Sequence, residues 1–156
     1  MKRSILAIVI ICSLVACKDV PGVKDKKSKT TKTRIGKTEY YVSLPDSYAV
    51  REKGGADYTV YYFMPQDTLA KPVFAAGMYI GNYPSEFEPS GSNCKVDSVS
   101  SDLLDTARKW KLFICDSSWF VQTIFKTDSS SIHAFGKGND SVSMRKALAI
   151  FETIHK

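Results

Sequence analysis

Histidine is nearly missing from this chain, which has two, His133 and His155, in 156 residues. Neither has a nucleophile or a carboxylate at an instructive spacing. Both read as structural, and the sequence offers no histidine-based acid–base pair or clustered imidazole ligands. Cysteine is sparse too, with four residues and no CxxC pair, which removes the zinc-ribbon and dithiol-redox patterns. Beyond residue 16 no stretch reaches the roughly 20 apolar residues that a membrane-crossing helix takes. Ser143-Met-Arg-Lys146 and Ser92-Asn-Cys-Lys95 both read S-x-x-K, but no KTG strand follows, so penicillin-binding chemistry has no support. Gly136-Lys-Gly-Asn-Asp140 lacks the P-loop pattern, and Asp140 would repel an anion there. It reads as a loop before a helix. No catalytic residue, metal site or cofactor is expected.

Charge of one sign is unevenly spread. The formal net charge of +6 sits entirely in residues 1–33, which hold eight Lys/Arg and two Asp/Glu; residues 34–156 hold fourteen of each. The basic balance therefore belongs to the N-terminal region. It gives no reason to expect a nucleic-acid partner for the rest. Aromatics are distributed the opposite way, with all eight Tyr, all eight Phe and both Trp beyond residue 33. Lys18 to Thr33, KDVPGVKDKKSKTTKT, has no aromatic residue, a Pro-Gly pair and a lysine run, so it reads as a flexible basic tether over 17–33. Its lysines add a minor attraction to anionic lipid.

Met1-Lys2-Arg3 and then SILAIVIICSLVA form a basic start and an apolar core of signal-peptide length. The core closes on Leu14-Val15-Ala16-Cys17. This resembles the lipobox of bacterial lipoproteins; the bland alternative is an ordinary secretory signal with a chance cysteine. The resemblance implies removal of residues 1–16, lipidation of Cys17 on its sulfur and amine, and a membrane partner reached through that lipid. Two or more acyl chains hold a protein stably where one does not. Lys18 follows the cysteine, whereas Asp at that place is associated with inner-membrane retention in enteric bacteria. The expected location is therefore the cell envelope, at the outer membrane.

Residues 34–156 read as one α+β domain. Alternating or doubly apolar runs predict strands over 38–44, 48–52, 58–64, 72–80, 109–115, 119–126 and 131–135. Asp116-Ser-Ser118 predicts a hairpin turn, and Ser101–Thr106 a helical turn. Gly81–Asp97 reads as a long irregular loop, of the kind that is often functional or mobile. Ser141 is the expected N-cap of a closing helix, in which Met144, Ala147, Leu148, Phe151 and Ile154 make one apolar stripe. Strands followed by one packed helix imply a mainly antiparallel sheet. The stretch Tyr40-Tyr-Val-Ser-Leu-Pro45, the Gly54-Gly55 turn before Tyr58–Phe63 and the closing Ile150-Phe-Glu-Thr-Ile154 resemble the PsbP-like fold. That resemblance implies an α/β/α sandwich and an accessory or binding role without catalysis.

Cys12 leaves with the signal and Cys17 carries lipid, so Cys94 and Cys115 remain as an even pair in an oxidising compartment. The expectation is a disulfide pinning the long loop, against two independent buried thiols. Tyr79, Tyr83 and Phe87 flank or lie in that loop, and Trp119 lies at a hairpin tip. Aromatics so placed anchor a protein partner, stack on a glycan, or simply close the core edge. The leading functional reading is a non-enzymatic binding or accessory module. Its alternatives are an immunity or inhibitor lipoprotein that neutralises a toxin, and an unrecognised hydrolase.

Overall fold

The computed structural model describes residues 29–69, 71–89 and 93–156. The signal, Cys17 and the tether up to residue 28 lie outside the described residues. The elements are β1 (Thr30–Arg34), β2 (Tyr41–Pro45), β3 (Tyr48–Gly54), β4 (Tyr58–Pro65), β5 (Phe74–Gly81), β6 (Lys95–Asp102), β7 (Ala107–Ile114), β8 (Trp119–Lys126), β9 (Ser131–Gly138) and α1 (Ser141–Phe151). β3 to β9 form one antiparallel sheet in the order β3-β4-β5-β9-β8-β7-β6, and β1 and β2 form a separate hairpin. The α+β class with a mainly antiparallel sheet and a packed C-terminal helix is therefore what the molecule has.

The sheet consists of two meanders, β3-β4-β5 and β6-β7-β8-β9, joined where β9 pairs with β5. The connection from β5 cannot be a tight turn. β6 lies four strand spacings away, about 19 Å at ~4.8 Å each, so the chain must cross a face of the sheet to reach it.

The other face carries the core. Tyr61, Phe63, Ala76, Met78, Ala134, Val121 and Trp110 project there, and α1 lies on them through Met144, Ala147, Leu148 and Phe151. The Phe151 ring packs on Trp110 at 4.9 Å and on Phe63 at 6.1 Å between centroids. Met144, Ala147, Leu148 and Phe151 of the stripe read from the sequence are thus buried together; the helix ends at Phe151, so Ile154 lies past it and is buried from the following segment instead. α1 sits close over β9 because Gly138 is bare: a Cβ there would come within 2.7 Å of Ser143 Cβ. Past the helix, His155 exchanges both backbone hydrogen bonds with Tyr41, at 2.8 and 3.1 Å, and ties the β1–β2 hairpin to the core.

Several local expectations are corrected. The N-cap is Asp140 rather than Ser141, and its Oδ1 accepts from the Ser143 backbone N–H at 2.7 Å. Gly136–Gly138 continue β9 instead of forming a loop. The stretch expected to be irregular ends at β6, and no helical turn follows it. Leu103–Thr106 is a tight reversal closed by a 3.0 Å bond from Leu103 N–H to Thr106 O, with Leu104 and Asp105 at φ 55° and 54°. β1 begins at Thr30, inside the segment read as tether, and Ile35 is fully buried. Among the described residues one helix covers one face of the sheet, and no helix is long and apolar enough to cross a membrane.

Candidate functional site

The face away from α1 is where the chain crosses from β5 to β6. Its strands project Val60, Tyr62 and Met64 from β4, Ala75 and Tyr79 from β5, His133, Phe135 and Lys137 from β9, and Phe120 and Gln122 from β8. Alternation alone would make this surface solvated, but the side chains are mostly apolar. The crossing segment, residues 82–89, covers part of it, and a cavity of about 610 Å³ lies between the two. Its floor is low because Ala75 and Gly77 are small. At Gly77 a Cβ would lie 2.8 Å from the Phe135 ring, so the bare backbone lets that ring lie across β5. Tyr62 and Met64 stand on one side, Phe120 and Phe135 on the other, and Tyr83, Ser85, Glu86 and Phe87 above.

Four contacts fix the crossing segment. The Tyr83 backbone N–H donates to Tyr79 Oη at 3.2 Å. Gln122 pairs with the Phe87 backbone: its Oε1 accepts from Phe87 N–H at 2.9 Å and its Nε2 donates to Phe87 O at 2.7 Å. The Phe87 ring lies 5.2 Å from that of Phe120, and Glu86 pairs with Lys111 Nζ at 3.0 Å. Further on, Cys94 and Cys115 form the expected disulfide, which holds the end of the crossing to the end of β7.

Beneath Gln122 lies His133, 7% exposed, with Nε2 at 2.9 Å from Gln122 Oε1. The Phe87 pairing orients the Gln122 amide, so the oxygen faces the imidazole. An oxygen acceptor there requires Nε2 to carry the proton, which leaves Nδ1 as the lone-pair nitrogen of the neutral ring. Burial lowers the His133 pKa from its usual value, opposed in part by the charge of Glu86, so the ring is neutral near pH 7. Lys137 is exposed at the cavity edge with its Nζ 5.0 Å from the centre of the Phe120 ring.

Three of the four aromatics singled out in the sequence, Tyr79, Tyr83 and Phe87, meet at this cavity. Tyr83 is 83% exposed and Phe87 48%, so both are edges of the roof, open to a partner. Trp119 is elsewhere. It is partly buried against the core on the helix side, because β8 turns alternate residues to opposite faces. His155 is engaged with the β1–β2 hairpin, and Ser143 of the S-x-x-K match serves the cap of α1. The sequence reading missed Gln122, and it took His133 for a structural residue although the ring lines the cavity. The available signal was a polar residue inside an otherwise apolar strand, WFVQTIF for the first and SIHAF for the second. Strands covered on both faces hold such residues only when they are hydrogen-bonded. Compared with family models, curated proteins and solved structures, the chain matches none.

Proposed function

We propose that this protein is a lipid-anchored binding module of the bacterial cell envelope, tethered at the outer membrane through Cys17, and that it acts by holding a ligand in the cavity under residues 82–89. The cavity carries the reading: about 610 Å³, lined mainly by aliphatic and aromatic side chains with a few placed polar groups, which is the usual make-up of a small-molecule site. The buried imidazole has a structural use, since its Nε2 is hydrogen-bonded to Gln122, which in turn holds the Phe87 backbone. The PsbP-like resemblance points the same way, toward accessory binding, and belongs to this proposal. The anchor rests on the lipobox-like Leu14–Cys17.

Two measurements test the two halves. Labelled fatty acid enters the wild-type chain and not Cys17→Ser; equal labelling of both removes the anchor. An apolar fluorescent dye binds the wild type and is excluded by Ala75→Trp, which fills the cavity from its floor. Equal dye binding by two proteins that melt alike removes the cavity as the site.

A further inference from the structure

The polar groups of the cavity stand at two ends of one strand. His133 and Lys137 both project from β9 on the same face, four residues apart, about 13 Å at ~3.3 Å per residue. Phe135 lies between them, with Tyr62 and Phe120 on either side. The His133 end is buried and roofed. Its Nδ1 has no hydrogen-bond partner among the described residues, and the residue, 7% exposed, lines the cavity.

The Lys137 end is at the mouth. Its ammonium has a ring beneath it and pairs with no described carboxylate. The neighbouring acid of the lining, Glu86, is already held by Lys111. The site thus offers a cation, an apolar span, and an acceptor that a ligand filling the cavity would cover.

Resting on the binding-module reading, we propose that the cavity takes an elongated amphipathic monocarboxylate whose far end bears a hydroxyl: the carboxylate at Lys137 Nζ, the apolar body along β9 beneath residues 82–89, and the hydroxyl donating to His133 Nδ1. Each part follows from matching chemistry. A carboxylate answers an unpaired ammonium, strongly so beside an apolar surface that thins the water around it. An apolar body replaces water over the Phe120, Phe135 and Tyr62 rings. A tail ending in a methyl group would bury Nδ1 without a partner, whereas a hydroxyl satisfies it, and an unmatched buried polar group is what makes such sites selective. The neutral ring suits a hydroxyl donor, since Nε2 already gives its proton to Gln122.

The test uses the full chain in phospholipid nanodiscs, with empty nanodiscs as the control for partition into lipid. The probes are ω-hydroxydodecanoate, dodecanoate, and the methyl ester of the hydroxy acid, measured by calorimetry. The hydroxy acid binds most tightly. Dodecanoate and the ester are each weaker by about tenfold, the size of one unmatched polar contact. Lys137→Met erases the acid-over-ester preference and keeps the hydroxyl preference. His133→Phe does the reverse, and thermal melts confirm that both variants fold.

Equal binding of all three probes by the wild type, or preferences unchanged in both variants, overturns the proposal. So does failure of every probe to bind while the apolar dye still binds and Ala75→Trp still excludes it, an outcome that leaves the binding module standing. Failure of the dye as well removes both.

Discussion

Replacing Gln122 by Met tests the roof of the cavity most directly. Methionine keeps the unbranched length of glutamine and removes only the amide. Three hydrogen bonds go with it, two to the Phe87 backbone and one to His133. The Phe87 groups belong to a residue that is half exposed, so water replaces their partners once the segment lifts, and each bond costs its net value of about 1 kcal/mol. His133 cannot reach water so easily. Its Nε2–H is left buried without an acceptor, at about 1–3 kcal/mol. The expected loss is therefore about 3–5 kcal/mol, or roughly 10–20 °C in melting temperature for a domain of this size.

Urea unfolding reads the loss as a shift in midpoint at constant slope. Hydrogen exchange by mass spectrometry reads its location: peptides over 82–89 lose protection while the α1 peptides keep theirs. In a His133→Phe background the same change costs only the part owed to Phe87, about 2 kcal/mol, and the difference isolates the imidazole bond. A loss under about 0.5 kcal/mol with unchanged exchange over 82–89 would refute the docked segment, since that is the range of an ordinary surface change.

Reducing the Cys94–Cys115 bond, or replacing both residues by Ser, lowers stability by about 3 kcal/mol in the loop-entropy treatment. Far-ultraviolet circular dichroism stays native while chymotrypsin gains access near Tyr83 and Phe87; complete unfolding on reduction would show that the bond holds more than the crossing. His133 makes stability depend on pH, because its folded pKa is lowered from 6.5. Above that unfolded value both states are neutral and the burial penalty is absent; as pH falls through ~6.5 the unfolded state takes up the proton first, so stability declines until the folded ring titrates as well. His133→Phe flattens this slope below the unfolded imidazole value, whereas the lowered pKa of Asp140 acts only in the acid range, where its cap is lost. Asp105→Gly, at φ 54°, raises the melting temperature by relieving about 1 kcal/mol of left-handed backbone cost, and a decrease would show that the Asp105 side chain is needed there. Ile35→Ala lowers stability by about 2–4 kcal/mol in urea unfolding; no effect would place Ile35 outside the core.

What could be read in advance follows from how many neighbours decide each feature. Strands such as Tyr58–Pro65 and the stripe of α1 announce themselves, since burial on two faces or on one helical side repeats within the element. β6 does not. It is an edge strand with two apolar residues, Val96 and Val99, that alternation sends to opposite faces, and its hairpin turns at Leu104-Asp105 without Gly or Asn. β1 is hidden for a related reason: TTKTR has no apolar residue, and it becomes a strand only because β2 offers it a partner. The disulfide was open to elimination on the lipoprotein reading, in which Cys12 leaves, Cys17 carries lipid and Cys94 and Cys115 remain.

The cavity depends on facts that no local pattern holds. That Tyr79 lies opposite His133, and Gly77 opposite Phe135, is a matter of register between β5 and β9, strands separated in sequence by β6, β7 and β8. That Gln122 meets Phe87, 35 residues earlier, is a matter of the path the crossing takes. The path itself is set by topology. Once β9 inserts beside β5, the end of β5 is separated from the start of β6 by three strands, and the connection must lie on whichever face α1 leaves open. A chain forced across a sheet needs polar partners for its backbone where it touches down, and buried Gln122 supplies them. It needs clearance where it does not, and Ala75 and Gly77 supply that. The roof, the floor and the two buried polar residues are then consequences of one connection, so the length of the Gly81–Asp97 stretch carried more about the site than any motif in the chain.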